Sequence, residues 1–203
     1  MKSFSEIETT SKRASRAAGF SWGVSEEVGK NVRLLEMFGL PGVKNLIEYY
    51  KEKKEKNFEN LKLINKENKI NKNFFCPIIL GTNFLDQIKS LESLEEIKFE
   101  KLAYPILFLP FISRASEITG KKLLLKLDET EFLLNFNISI FSNLSKKNII
   151  SISNFTSVRF LENSDSFSEK EWNELYKLSE ETFVEENESL KQSAAGAGLT
   201  DND

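Results

Sequence analysis

Histidine is absent from this 203-residue chain, and there is one cysteine, Cys76. Without an imidazole and with a single thiol, zinc sites of the Cys/His type, Ser-His-Asp and Cys-His triads and histidine acid–base chemistry are excluded. Any catalysis has to rest on carboxylates, lysine, tyrosine, serine or Cys76. A lone cysteine makes no internal disulfide, which suits a reducing compartment, and the expected location is cytoplasmic. Long apolar runs are scarce too. The longest, LAYPILFLPFI from Leu102 to Ile112, is about half of the roughly 20 residues a spanning helix needs, and Pro105 and Pro110 interrupt it. The N-terminus carries Glu6 and Glu8 and no apolar core behind Lys2, so neither a membrane span nor a secretory signal is expected.

What is present fits a globular protein, with 40% hydrophobic and 29% charged residues. The net charge of −3 is unevenly spread: from Leu161 onward twelve acids face three lysines, leaving the first 160 residues at +6. A mildly basic body and an acidic C-terminal arm follow, without the basic, aromatic-interleaved stripe that would argue for nucleic acid.

The first sixty residues read as three short helices. Ser5 with Glu8 has capping-box spacing and Gly19 supplies a stop, which predicts a helix over 6–18. Ser25 before Glu26 and Glu27 marks an N-cap for a second, closed by Gly39, and Pro41 opens a third that runs to about residue 56. Val28, Val32 and Leu35 form the inner stripe of the second helix, and Val43, Leu46, Ile47 and Tyr50 that of the third. The first helix has only Ile7, Ala14, Ala17 and Ala18 to bury, a thin face that calls for docking on the rest of the chain or on a partner.

Beyond it, 51–72 is rich in lysine, glutamate and asparagine and reads as a solvated helix end and linker. Strands are expected at 75–80 and 104–109, each followed by a helix, the second ending at Gly120. A hairpin is expected about Asp128-Glu129-Thr130, further strand over 149–160, and a last helix capped by Ser168 and Glu171 with Trp172, Leu175, Tyr176, Ser179 and Phe183 on one face. The expected fold is α+β: a helical module (1–56), a polar linker (57–73), a mostly antiparallel sheet with packing helices (74–186), and a flexible acidic, glycine-containing tail (187–203).

Candidate site residues cluster near the N-terminus. Arg13 and Arg16 leave one side of a helix and can clamp a carboxylate or phosphate. Glu26 or Glu27 then serves as a general base if burial raises its pKa. Glu26, Lys30 and Arg33 read equally well as a surface ion-pair ladder. Trp22, in FSWG, is expected to plug the seam between two helices. Cys76 is expected to be buried and without a role, and Asp128, Glu129 and Glu131 to shape a turn. At the other end, Gly196 and Gly198 are half of a dinucleotide fingerprint with no strand or helix to complete it. Asp201, Asn202 and Asp203 place acids on an arm suited to a basic groove, on this chain, a second copy or a partner enzyme. Consecutive acids wrap an ion poorly, and neither a metal nor a cofactor is expected.

SKRASRAAGFSWGVSEEVGKNVRLLEMFGLPG, with the closing GAGLTDND, resembles a proteobacterial family of unknown function. There a similar A-x-R-A-A-x-x-G-x-S-W-G-x-x-E-E-x-x-K block precedes a G-x-P-G turn. The resemblance covers roughly the first 45 residues and the last dozen; EETFVEENESLKQ departs from the arginine-containing segment of the family. It implies that Arg13, Arg16, Ser21, Trp22, Gly23, Glu26, Glu27 and Lys30, and Gly196, Gly198, Asp201, Asn202 and Asp203, belong to the family pattern, and it implies no activity. Two functions follow as expectations. One is an accessory protein that binds a partner enzyme or a second copy through its N-terminal helices and C-terminal peptide. The other is an enzyme or binding protein for a small anionic metabolite. Nucleic acid and membrane partners are not expected.

Overall fold

Serine caps and glycine stops punctuate the first forty residues, and the helices they bound begin the fold. The structure, a computed structural model, describes residues 2–136, 139–143, 150–162 and 164–182. It divides into two compact units, Met1–Asn163 and Ser164–Asp203. Helices α1 (Phe4–Ala17), α2 (Trp22–Met37) and α3 (Gly42–Glu55) open the first.

Both expected caps are displaced toward the N-terminus. Ser3, not Ser5, caps α1, its Oγ accepting from Glu6 N at 3.1 Å. The S-x-x-E spacing occurs twice, two residues apart, and the earlier copy yields the longer helix. Likewise Ser21 caps α2, accepting from Val24 N at 3.4 Å, while Ser25 lies buried inside that helix. Pro41 is the cap of α3 rather than its first residue, and the Glu36 carboxylate accepts from Val43 N at 2.8 Å.

The inner face of α1 is not the alanine face. Ile7 and Ala18 pack against the core as expected, but Ala14 and Ala17 are exposed, and Ser11 and Ser15 are buried. Close crossing explains this: a methyl on Gly29 of α2 would stand 2.7 Å from the Glu8 carbonyl oxygen, so only small side chains fit between the two helices. Ser15 Oγ donates to Ser11 O at 2.7 Å and receives the Tyr50 hydroxyl at 2.6 Å, which ties α1 to α3. In α2, Val28, Val32 and Leu35 are buried as expected. In α3 the face is turned from the expected one: Leu46 and Tyr49 are buried, and Val43 and Ile47 are exposed. Tyr49 packs on the rings of Phe58 and Tyr104, which orients the helix.

Segment 57–73, expected as a linker, is fastened along the body. Glu59 N donates to Phe74 O and Cys76 N to Glu59 O, at 2.8 and 2.9 Å; Ile64 is buried, and β1 (Glu67–Asn68) joins the sheet. The strand expected at 75–80 is instead the start of helix α4 (Pro77–Asp86), followed by α5 (Ile88–Leu91). Only Phe75 makes bridges, to Glu59 and Leu102. Pro77 has no N–H for a ladder and a φ suited to a helix start, and a short apolar run buried all round carries no period to separate strand from helix. The same correction applies at 104–109: Tyr104 takes a left-handed conformation (φ 43°), and Pro105–Leu107 form a 3₁₀ turn that leads into α6 (Leu109–Thr119), stopped by Gly120 (φ 66°).

The sheet comprises β1, β2 (Glu96–Ala103), β3 (Lys122–Leu127), β4 (Thr130–Asn135), β5 (Ser139–Ser142) and β6 (Ile152–Leu161), in the order β1-β2-β6-β3-β4-β5. All pairings are antiparallel except β1 with β2, so the fold is α+β as expected; β2 has no counterpart in the sequence reading. The hairpin stands where expected, with Asp128 at φ 50° and its carboxylate accepting from the N–H groups of Asn154 and Phe155 at 3.2 and 2.9 Å. Helix α6 lies on β3 and β4 and also meets α4 and α2, while α1 packs on α2. In the second unit, α7 (Glu169–Glu180) begins with the expected Ser168–Glu171 capping box, and Trp172 stacks on Phe167. Its Trp172, Leu175 and Tyr176 are exposed, and the expected Phe183 and the tail lie outside the described residues. No described helix is long and apolar enough to cross a membrane.

Candidate functional site

The elbow between α1 and α2 places most of the sequence candidates. Gly19 (φ 94°) reverses the chain, Phe20 turns inward, and Trp22 stands 61% exposed rather than plugging a seam. It is the first residue of α2, and α1 crosses too closely on small side chains to receive an indole. Arg16 lies over the Trp22 ring, 5.3 Å from its centroid, and donates to Phe20 O at 2.8 Å. Lys12 sits 6.0 Å from the same ring. Arg13 shares none of these contacts and has no partner among the described residues, so no common anion-clamp geometry links it to Arg16.

The acids nearby form ion pairs, across helices except for Glu27 with Lys30 within α2. Glu26 takes Lys12, Glu8 takes Arg33 at 2.7 Å, and Glu27 takes Lys30 at 3.3 Å and Arg114 of α6. The hydrogen bond and charge of Lys12 hold the exposed Glu26 carboxyl below its ordinary value. That is the reverse of the shift a general base near neutrality needs. Gly196, Gly198, Asp201, Asn202 and Asp203 lie outside the described residues.

A different constellation opens beside the elbow, in a cavity of about 420 Å³. Phe20, Ser21 and Val24 form one wall; Tyr49, Lys53, Lys56 and Phe58 come from α3 and the chain after it, with Asn57 and Asn60; Cys76 and Ile79 come from the start of α4. Three aromatic rings and two lysines line it, and no acid does among the described residues. Two helix N-termini also meet here: Ser21 and Val24 are the cap and third residue of α2, and Cys76 and Ile79 those of α4. Each helix start carries unpaired N–H groups and roughly half a positive charge, so lysines and helix ends act with the same sign.

Each lysine is positioned. Lys53 Nζ donates to Ala18 O at 3.1 Å and lies 5.2 Å over the Phe20 ring. Lys56 pairs with Glu52 at 2.8 Å, and Glu52 also accepts the Tyr104 hydroxyl at 2.8 Å. The Lys56 hydrogen bond, then that of Tyr104, hold the Glu52 carboxyl below its ordinary value although partial burial opposes them.

The thiol of Cys76, 2% exposed, lies 3.0 Å from the Tyr49 hydroxyl. Burial pushes the thiol above its ordinary value, against hydrogen bonds from Tyr49 and from the Ile79 and Ile78 N–H groups; burial likewise pushes Tyr49 up. Both are held neutral, as sequence reasoning expected of a buried thiol. A raised thiol contributes stability that is complete below the unfolded value and is lost as pH climbs toward the folded one. Denaturant stability should therefore be level from neutrality to about pH 8.5 and fall above it. In Cys76→Ala the fall should begin only in the tyrosine range, about pH 10. An onset unmoved by that substitution would show that Cys76 titrates normally.

Residues 2–75 match the model of a family described as a protein of unknown function (DUF3726). This agrees with the expectation of similarity to a family of unknown function; the closing GAGLTDND lies outside the match. All the cavity-lining residues except Cys76 and Ile79 fall within it. No curated protein and no solved structure gives a significant match. Sequence reasoning missed Lys53 and Lys56 because KEKKEK reads as wet surface. Tyr49 and Phe58, flanking that run, were the available signal that one side of it turns inward.

Proposed function

We propose that this chain is a binding protein for a small organic anion, held in the cavity between the α1–α2 elbow, the end of α3 and the start of α4. One observation carries the reading: two lysines and two helix N-termini border an acid-free cavity walled by three rings. Its volume falls within the range of about 300–1,000 Å³ usual for metabolite pockets. The half-buried Phe58 ring and the edge of Phe20, backed by the fully buried Tyr49, suit a planar apolar body, and the cationic groups suit a carboxylate or phosphate on it. Binding is favoured over catalysis because the thiol and phenol in the wall are both held protonated. The anionic ligand class is that of the second of the two functions expected from sequence, moved from Arg13 and Arg16 to Lys53 and Lys56.

A thermal-shift screen of aromatic and aliphatic carboxylates and phosphates tests this. A ligand at about one hundred times its Kd adds about 2.7 kcal/mol, which for a chain of this length raises Tm by about 5–10 °C. Lys53→Ala, referred to its own ligand-free Tm, should weaken binding about 10–100-fold, the cost of losing a charged hydrogen bond. A screen in which no anion stabilises the protein, or a hit indifferent to Lys53→Ala, counts against the proposal.

A further inference from the structure

The Trp22 face is separate from the anion cavity, since Trp22 does not line it. A large indole 61% exposed at a helix start is unusual on a surface with no partner, and arginine and tryptophan together are the side chains that dominate protein interfaces. Beside the indole, and partly lined by it, lies a second concavity of about 430 Å³, bordered by Glu8, Thr9, Lys12, Arg13, Glu26 and Lys30. Lys12 and Arg16 are held near the ring face; Lys12 is paired with Glu26 and Lys30 with Glu27, so the unpaired positive charge of the patch is that of Arg16 and of Arg13, which has no partner among the described residues.

The same sequence contains a segment of opposite charge. Residues 180–203 carry Glu180, Glu181, Glu185, Glu186, Glu188, Asp201 and Asp203 against Lys191, with Phe183, Leu190 and Leu199 spaced among them. We infer that the Trp22 face of one molecule docks the acidic C-terminal stretch of a second copy of this chain. The acids meet Arg13, Lys12 and Arg16, and an apolar side chain of the stretch lies on the indole. The stretch can supply both features, acids for the basic side chains and an apolar side chain for the indole.

Sedimentation of the full chain across a concentration series tests the inference. A reversible dimer that weakens as salt rises is expected. Trp22→Ala should weaken it about thirtyfold, the size of an interface hot spot. Arg13→Glu, at a position with no partner among the described residues, should weaken it without changing Tm. So should the full-length variant Glu185→Gln/Glu186→Gln/Glu188→Gln, and a synthetic peptide of residues 180–203 should compete. A chain that stays monomeric at every concentration, or a dimer indifferent to Arg13→Glu and to the peptide, overturns the inference. Neither outcome bears on the anion cavity, which retains Lys53 and Lys56 in all these variants.

Discussion

Gly81→Ala is expected to destabilise the protein by about 3 kcal/mol or more, the upper end of what overpacking a core costs. Gly81 sits in α4 against the Phe111 ring of α6, and an added methyl would lie 2.6 Å from Phe111 Cε2 and closer still to Cγ and Cδ2. Phe111 is itself buried, so its ring has no free volume to yield into, and the helices must separate. For a chain of this length the loss is about 6–12 °C in Tm. Since α4 brings Cys76 and Ile79 to the cavity, anion binding should weaken with it. Gly23→Ala is the control: nothing lies within 4 Å of a methyl there, so the change should be neutral or slightly stabilising. Equal losses at the two glycines would refute the tight α4–α6 contact.

Phe108→Ala is expected to cost about 3–5 kcal/mol in chemical denaturation. Its ring is fully buried at the end of the 3₁₀ turn and meets Phe84 and Phe99 edge-on, each at 5.8 Å between centroids. One side chain therefore joins helix α4, strand β2 and the turn before α6, and truncation leaves a cavity that the sheet cannot collapse into. Phe108→Leu retains most of the volume and should lose less than half as much. A cost below about 1 kcal/mol for Phe108→Ala would mean that this core is loosely packed.

Local signals were legible in the sequence wherever a short motif determines a local geometry. Gly19 and Gly120 end helices, Asp128-Glu129 turns a hairpin, and Ser168 with Glu171 caps α7, because each needs only neighbours a few residues away. Duplicated signals misled: two S-x-x-E spacings competed at the first helix, and Ser21 prevailed over Ser25 at the second. Long-range pairing was not legible at all. Phe75 reads like the start of a strand, but what it meets, Glu59 and Leu102, is decided by chain far from it. The candidate site shows the same division. Ser21, in the S-W-G turn, lines the cavity, whereas Lys53, Lys56 and Cys76 reach it only through the packing of α3 on α2 and the 3₁₀ turn and of α4 on α6 and α2.

Backbone amide chemical shifts of the isotope-labelled chain, titrated with an aromatic carboxylate such as benzoate and with phenyl phosphate, test the central claim most directly. The anion-cavity account predicts saturable shifts at 21–24, 53–60 and 76–79, where the two helix starts and the lysine-bearing segment converge, and their loss in Lys53→Ala. Shifts confined to the helix surface around Arg13, or an absence of saturable shifts at those three segments with every anion tried, would contradict it.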